Sequence, residues 1–359
     1  MKSMNVLLFS AVLSASTATL AQGTLSVSDW SKQLSSSLLS GKATDVQNSL
    51  DLKTLEGRAL AVQNPKDRQT MTRARLAYKA GRFDEAIRLY NEIPKSSDSW
   101  LEAVEEKGWA YLLKKDTEKA LAQTKTLLSP TFLPIVGAEP FLLQTLSQLR
   151  VCDYNEILKT NKTFKDSQRT RLMSLQDIAD GKGSPALDAA IKKVKTFPMK
   201  FTEIGEEAKL LPRLFYRDIE VQRAILRLKM AEAGLPVLQG AVAEHKTKFK
   251  TLSTQAIARL QANANKARLQ LAQRIKALAQ AEIDESFLVI QRLNLIEVET
   301  IQRVHADQKL DRNLYSKGQF ARASQDQMVF PDDGHPWIDE LDKYQVQVNA
   351  CPSDVRRKM

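Results

Sequence analysis

Residues 71–93 read MTRARLAYKAGRFDEAIRLYNEI, and residues 105–127 read EEKGWAYLLKKDTEKALAQTKTL. The two stretches superpose without a gap at a shift of 34 residues. Gly81 falls on Lys115, Phe83 on Thr117, Ala86 on Ala120 and Ile93 on Leu127. A fixed period of this length, carrying helical apolar spacing, signals stacked pairs of antiparallel helices that hide their apolar sides against one another. The turn over 81–86, Gly-Arg-Phe-Asp-Glu-Ala, is the most specific piece. Its glycine closes the first helix, and Asp84 and Glu85 suit the positive end of the second. The small residues Ala77, Ala86, Gly108 and Ala120 fall where helices must touch, and Phe83 and Tyr90 are the bulky plugs of the first unit.

On these residues the chain resembles the tetratricopeptide-repeat superfamily over about 66–170, under a third of its length. A third, degenerate unit follows, with 140–149 as its first helix and 154–164 as its second. Its turn at Cys152 to Ile157 echoes the earlier ones, but the shift from Ala120 to Ile157 is 37, which places three extra residues in the loop 129–139. Thr117 departs from the family's aromatic, and the family's proline is displaced to Pro94 and Pro130. The resemblance implies a concave groove lined by the first helix of each unit, where a peptide segment lies. Carried over residue by residue, the groove positions are Arg75, Tyr78 and Lys79 in the first unit and Glu105, Trp109 and Leu112 in the second. Tyr78 and Trp109 would anchor the guest, with Arg75 and Lys79 reading its charge; the bland alternative packs Trp109 into the core.

Beyond the repeats the pattern stays helical but loses its period. We expect an all-α chain: a tetratricopeptide-like array followed by a long-helix region, a coiled coil or a bundle, over 171–327. Residues 181–185 (GKGSP) read as a loop, with a helix beginning at Pro185. Residues 202–233 read as one helix interrupted or kinked at Pro212, and Gly234-Leu235-Pro236 as a break. Ile257, Leu260, Ala264, Ala267, Leu271, Ile275 and Leu278 then step by three and four, a narrow seam of coiled-coil type. The phase resumes at Val289, Leu293 and Ile296, although Glu282 and Glu285 stand on the seam between. Ordinary amphipathic helices are the other reading of this segment.

The net charge is +11. Lys246, Lys248, Lys250, Arg259, Lys266, Arg268, Arg274 and Lys276 make the stretch 241–280 a basic arm, with Glu244 its lone acid. Such a run is either a solvated face that pairs with acidic helices or a docking surface for an anionic envelope component. Nucleic acid is disfavoured, because aromatic residues do not interleave with these cations. With 13 glycines, 12 prolines and 6% aromatics, the composition suits long helices rather than a β-sandwich or a glycine-loop nucleotide fold.

The first 21 residues have the form of a secretory signal: Lys2, a short apolar core over 6–13, and Thr19-Leu20-Ala21 before Gln22. We therefore expect export to the periplasm, with release from the cell less favoured, and no integral membrane segment. Residues 22–65 read as a leader of short helices, packing on the first repeat through Trp30, Leu34, Leu38 and Leu39. The only two cysteines are Cys152 and Cys351. An oxidising compartment favours their pairing over two buried thiols. Closing so long a loop would stabilise the fold by roughly 4–5 kcal/mol in the chain-entropy account.

The last segment, 328–359, begins MVFPDDGHPWIDELDKY. Asp333, Gly334, Trp337, Asp339, Glu340, Leu341 and Cys351 resemble the closing segment of a group of exported envelope repeat proteins of gliding and predatory bacteria. His335-Pro336 and one extra turn residue depart from that pattern. The resemblance implies a tail folded back on the repeats, pinned by Cys351 to Cys152, and a role in envelope assembly or surface motility.

Motifs for chemistry are missing. His245, His305 and His335 have no second ligand at metal spacing, and there is no GxSxG elbow, GxxxxGK[ST] loop or GxGxxG fingerprint. We expect no cofactor, no metal and no enzymatic activity. The expected function is a periplasmic scaffold that holds a segment of an envelope protein in the repeat groove. The alternative is a binder of peptidoglycan or anionic lipid through the basic arm.

Overall fold

The computed structural model describes residues 24–40, 42–60, 65–243, 250–306 and 341–348. Thirteen helices account for nearly all of their regular structure. The sole sheet among them is a two-residue antiparallel pairing of β1 (Leu25–Ser26) with β2 (Thr196–Phe197).

The helix pairs of the period come first. α4 (Pro65–Lys79) and α5 (Phe83–Asn91) form one pair, and α6 (Trp100–Leu113) and α7 (Thr117–Leu127) the next. α8 (Glu139–Arg150) and the longer α9 (Tyr154–Ala179) form the third. Each helix packs on its successor from α4 to α9.

The same turn ends the first helix of all three pairs. Gly81, Lys115 and Cys152 have φ of 73°, 67° and 59°, and Gly181 repeats it after α9 at 79°. In each case the following amide donates back to a carbonyl five residues earlier: Arg82 to Ala77, Asp116 to Tyr111, Asp153 to Gln148 and Lys182 to Asp177. This is the left-handed closure that caps the open carbonyls of a helix end. The side chains of Asp116 and Asp153 then accept from Lys119 N and Glu156 N and start the next helix at once.

Tight approach inside the array depends on Gly108. A Cβ there would stand 2.6 Å from Leu143 Cδ2 and 3.2 Å from Gln123 Cβ, so α6 can lie against α7 and α8 only with a hydrogen at that position.

The remaining helices build a second core. α1 (Val27–Ser40), α2 (Ala43–Ser49) and α3 (Leu52–Ala59) precede the array. α10 (Pro185–Lys193), α11 (Phe201–Ile204), α12 (Ile219–Ala243) and α13 (Lys250–Ala306) follow it. Contrary to the sequence reading, the leader packs on α12 and not on the first repeat: Trp30, Leu34 and Leu38 share one buried cluster with Ala224, Ile225 and Leu260. Leu39, also assigned there, is 70% exposed.

Residues 202–233 are not one helix. α11 ends at Gly205, whose φ is 70°, a 3-10 turn runs Gly205–Leu210, and Pro212 lies in a loop. Asp218 restarts the chain as a helix by accepting from Glu220 N and Val221 N at 3.1 and 3.0 Å. Nor do residues 234–236 break α12, which runs through Pro236. A Cβ at Gly234 would meet the Trp30 ring at 2.8 Å, so the glycine is spent on close packing against α1. That packing outweighs the lost backbone hydrogen bond.

α13 is 57 residues long, about 85 Å at the helical rise. The seam residues Leu260, Ala264, Ala267, Leu271, Ile275 and Leu278 are buried, and α12 is the principal partner of this helix. The long helices therefore pair within one chain. Farther on, Val289, Leu293 and Ile296 pack with Phe141, Tyr154, Ile157 and Phe164 of α8 and α9. One helix thus ties the array to the second core. Among the described residues, no helix is long and apolar enough to cross a membrane.

Residues 341–348 lie against the array. Leu341 joins the cluster of Met71, Tyr90 and Trp100, the Asp342 amide donates to Thr126 Oγ1 at 3.0 Å, and the Val348 amide donates to Glu118 at 3.3 Å. The Asp342 carboxylate pairs with Lys107, whose side chain is almost wholly enclosed. The signal segment, Cys351, Trp337 and the acidic turn over 332–340 lie outside the described residues.

Candidate functional site

A cavity of about 780 Å³ opens on the face made by the first helices of the pairs. α4 contributes Arg75 and Tyr78, α6 contributes Leu101, Glu102, Glu105, Glu106 and Trp109, and α8 contributes Glu139. The far wall is the loop opened by Pro212, with Arg213, Tyr216 and Arg217, and Arg292 of α13 stands at its edge. The helices that the repeat pattern nominates for a groove therefore line one, and the second core closes it.

Of the six groove positions read from the sequence, the structure brings four together: Arg75, Tyr78, Glu105 and Trp109. Lys79 is exposed at the end of α4 and does not line the cavity. Leu112 is buried against Ala120 and Leu143, because it lies on the face of α6 turned toward α7 and α8. Trp109 lines the cavity and also packs into the core. Its ring packs on the clusters of α8, while its indole Nε1 is buried with no hydrogen-bond partner.

The charges inside are ordered. Arg75 donates from Nε and Nη2 to Glu106 at 2.6–3.1 Å and from Nη2 to Glu102 at 3.0 Å. The Glu106 carboxylate holds the Arg75 guanidinium well above its ordinary value. Tyr90 adds a donor to Glu106 at 2.7 Å. Arg217 pairs with Glu102 at 3.2 Å, and Arg213 with Glu285 at 2.7 Å. Burial works against the Arg213 charge, but Glu285 and Glu105 outweigh it and raise its pKa.

Glu105 and Glu139 are different. They hydrogen-bond to each other, carboxyl to carboxyl, and burial together with the Glu139 charge pushes Glu105 up to about 8. Glu105 is therefore the group that holds a proton here at neutral pH. Burial, then Glu106 and Glu139, also raise the Tyr78 hydroxyl. The sequence reading missed Glu139, Arg213, Tyr216 and Arg217. A signal for the first existed, since Glu139 stands one 34-residue period after Glu105. The loop residues belong to no repeat and are brought in only by tertiary packing.

The basic arm lies partly in view. Lys250, Arg259, Lys266, Arg268, Arg274 and Lys276 are exposed on α13, while Lys246 and Lys248 fall outside the described residues. Arg274 is engaged with Asp218 at 2.5 Å and serves the α12–α13 junction. No ion pair among the described residues reaches Arg259, Lys266, Arg268 or Lys276.

Cys152 is disulfide-bonded, and the chain has one other cysteine. Among the described residues no group of three histidine, cysteine, aspartate or glutamate side chains could hold a metal ion. No family model, no curated protein and no solved structure matches this chain.

Proposed function

We propose that the protein is an exported, non-catalytic scaffold of the bacterial envelope, tetratricopeptide-like over 66–170, that holds a segment of a partner protein in the cavity between its helix pairs and the second core. The observation that carries this reading is the cavity itself. It lies on the first-helix face of consecutive pairs, combines aromatic walls with ordered charges, and has the volume of a built binding site. The secretory form of residues 1–21 supports the envelope location. The resemblance of the tail to exported envelope repeat proteins points to envelope assembly or surface motility as the process.

The test is a photo-reactive side chain at Leu101, in the cavity wall, compared with one at Leu158, which is 43% exposed on α9. In the native cell, Leu101 should yield a discrete adduct that maps to one segment of one envelope protein, and Leu158 should not. Equal adducts from both positions, or none from Leu101, would dismiss the scaffold reading.

A second reading rests on the exposed cations of α13 without ion partners, which suit peptidoglycan or an anionic lipid surface. It expects the protein to sediment with anionic vesicles or cell wall at low salt and to be released by about 0.5 M salt, at which the Debye length falls to about 4 Å. Charge reversal at Arg259, Lys266 and Arg268 should abolish that sedimentation.

A further inference from the structure

We infer that the cavity receives a lysine side chain of its guest, with the ammonium between Glu105 and Glu139 and the stem against Tyr78 and Trp109. This rests on the groove reading above and specifies what the groove recognises.

The family resemblance made Arg75 a reader of acidic guests, but Arg75 is saturated by Glu106 and Glu102. Arg217 is held by Glu102, and Arg213 by Glu285. Of the lining arginines, Arg292 alone has no ion pair among the described residues, and it is exposed at the edge, so an anionic guest inside would have to break the others. The carboxyls without an ion pair of their own are Glu105 and Glu139, which hydrogen-bond to each other with the Arg213 charge nearby. Both are half-buried, so a cation placed between them is attracted with less screening than surface charges suffer.

Charge balance inside the cavity agrees. Four arginines and four glutamates line it, and Glu285 behind Arg213 adds a fifth carboxylate. The lining alone balances, and the negative charge that Glu285 adds is offset by the proton on Glu105. A guest ammonium can take the place of that proton and leave the cavity neutral again, with the proton released to solvent. The groups facing Glu105 are Arg75 and Tyr78 on α4, Glu102 and Glu106 on its own helix, and Glu139 on α8. Arg213 and Arg217 face it from the loop, and Glu285 and Arg292 from α13.

Trp109 supplies a separate observation. Its Nε1 is buried, unpartnered, and part of the same wall. A buried donor without an acceptor is costly, and a ligand carbonyl is what would satisfy it. An extended peptide offers a backbone carbonyl beside a lysine side chain, so one guest answers both. Aromatic walls next to carboxylates also favour a cation with an apolar stem over a small inorganic ion.

The experiment titrates the intact protein with acetyl-Ala-Ala-Lys-Ala-Ala-amide, following tryptophan emission, with Trp109→Phe to assign the signal. The same peptide carrying Nζ-acetyl-lysine, or glutamate in place of lysine, serves for comparison. The lysine peptide should bind at least ten-fold more tightly than either. Its affinity should rise up to about ten-fold per pH unit between pH 6 and 7.5 as one proton is released, and level off above pH 8. Glu105→Gln and Glu139→Gln, checked for cooperative melting near that of the parent at pH 5, should each bind at least ten-fold more weakly, and in Glu105→Gln the pH dependence should vanish. Preference for the glutamate or acetyl-lysine peptide would overturn the inference, as would a flat pH profile in the parent protein. So would no saturation by the lysine peptide up to about 10 mM, a concentration that corresponds to binding weaker than about 3 kcal/mol. Adducts from Leu101 together with any of these failures would refute the lysine assignment and leave the groove standing. Failure of both would refute the groove as well.

Discussion

Arg171 of α9 and Glu282 of α13, 111 residues apart, meet at 2.7 Å with both side chains almost wholly buried. Glu282 also accepts from the Arg213 amide at 2.7 Å, and Arg171 donates to the Pro134 carbonyl at 2.6 Å. Four segments thus converge on one ion pair: the third helix pair, the long helix, the loop before α8 and the loop after Pro212. Glu282 interrupts the apolar seam of α13 because it is the point where that helix fastens to the array. Removing one partner strands the other in a poorly solvated place, so Glu282→Leu or Arg171→Met should each cost about 3–5 kcal/mol. The double variant should recover at least half of the loss. Urea unfolding of the three variants measures this, and additive single losses would contradict it.

The repeated left-handed turn gives a second prediction. Lys115 is exposed, and its φ of 67° costs an ordinary residue about 1 kcal/mol or more. Lys115→Gly should therefore stabilise the protein by about 0.5 kcal/mol, after allowance for the extra freedom of glycine in the unfolded chain. Gly81→Ala, at the matching turn with open space around a Cβ, should destabilise by about 1 kcal/mol for the backbone alone. Thermal melts of both variants suffice.

Gly108 answers to packing rather than to φ. Its substitution by alanine places a Cβ 2.6 Å from Leu143 Cδ2. Overpacking of this kind should cost about 1–3 kcal/mol. Because the obstacle is the end of a side chain, Leu143→Ala should relieve the clash, and the pair should be markedly less destabilised than the two losses summed.

Lys107 and Asp342 test the attachment of the C-terminal segment. The Lys107 side chain is 4% exposed, and burial lowers its pKa even with Asp342 beside it. Asp342→Asn leaves the cation with neutral oxygens alone, that of Asn91 and that of the introduced amide. We expect a loss of about 3 kcal/mol and faster amide exchange over 341–348. Lys107→Met with Asp342→Leu should restore stability. Exchange in 341–348 unaltered by Asp342→Asn would mean that other contacts hold this segment.

How far the sequence led can be judged at particular residues. The 34-residue shift located α4 to α7 because helix pairs repeat their turn chemistry, and Asp116 and Asp153 stand where the turns need caps. The coiled-coil spacing from Leu260 to Leu278 located the seam, since apolar periodicity records which face is buried. Pro236 misled, because the penalty for proline in a helix is local while the packing of Trp30 on Gly234 is not. Leu112 misled as well, since a family position fixes a helix face only to within a residue or two. Half of the cavity was legible, the half made by the repeats. The other half comes from 213–217, a loop whose place depends on Arg171, Glu282 and Glu285, residues far away in the chain.

The Glu105–Glu139 pair makes a prediction about stability that is independent of any guest. Burial and the neighbouring carboxylate raise Glu105 to about 8, well above its value of 4.5 in an unfolded chain. The folded state therefore binds this proton more tightly than the unfolded state does. Its stabilising contribution is complete below about pH 4.5, declines as pH rises from there to about 8, and is gone above that. A glutamine at this position carries no such proton and keeps the hydrogen bond to Glu139. Glu105→Gln should thus melt close to the parent protein at pH 5 and above it at pH 9, with the gap opening between those values. Melting curves at pH 5, 7 and 9 decide it, and a gap that stays constant across the three would show that Glu105 holds no proton in the folded protein at neutral pH.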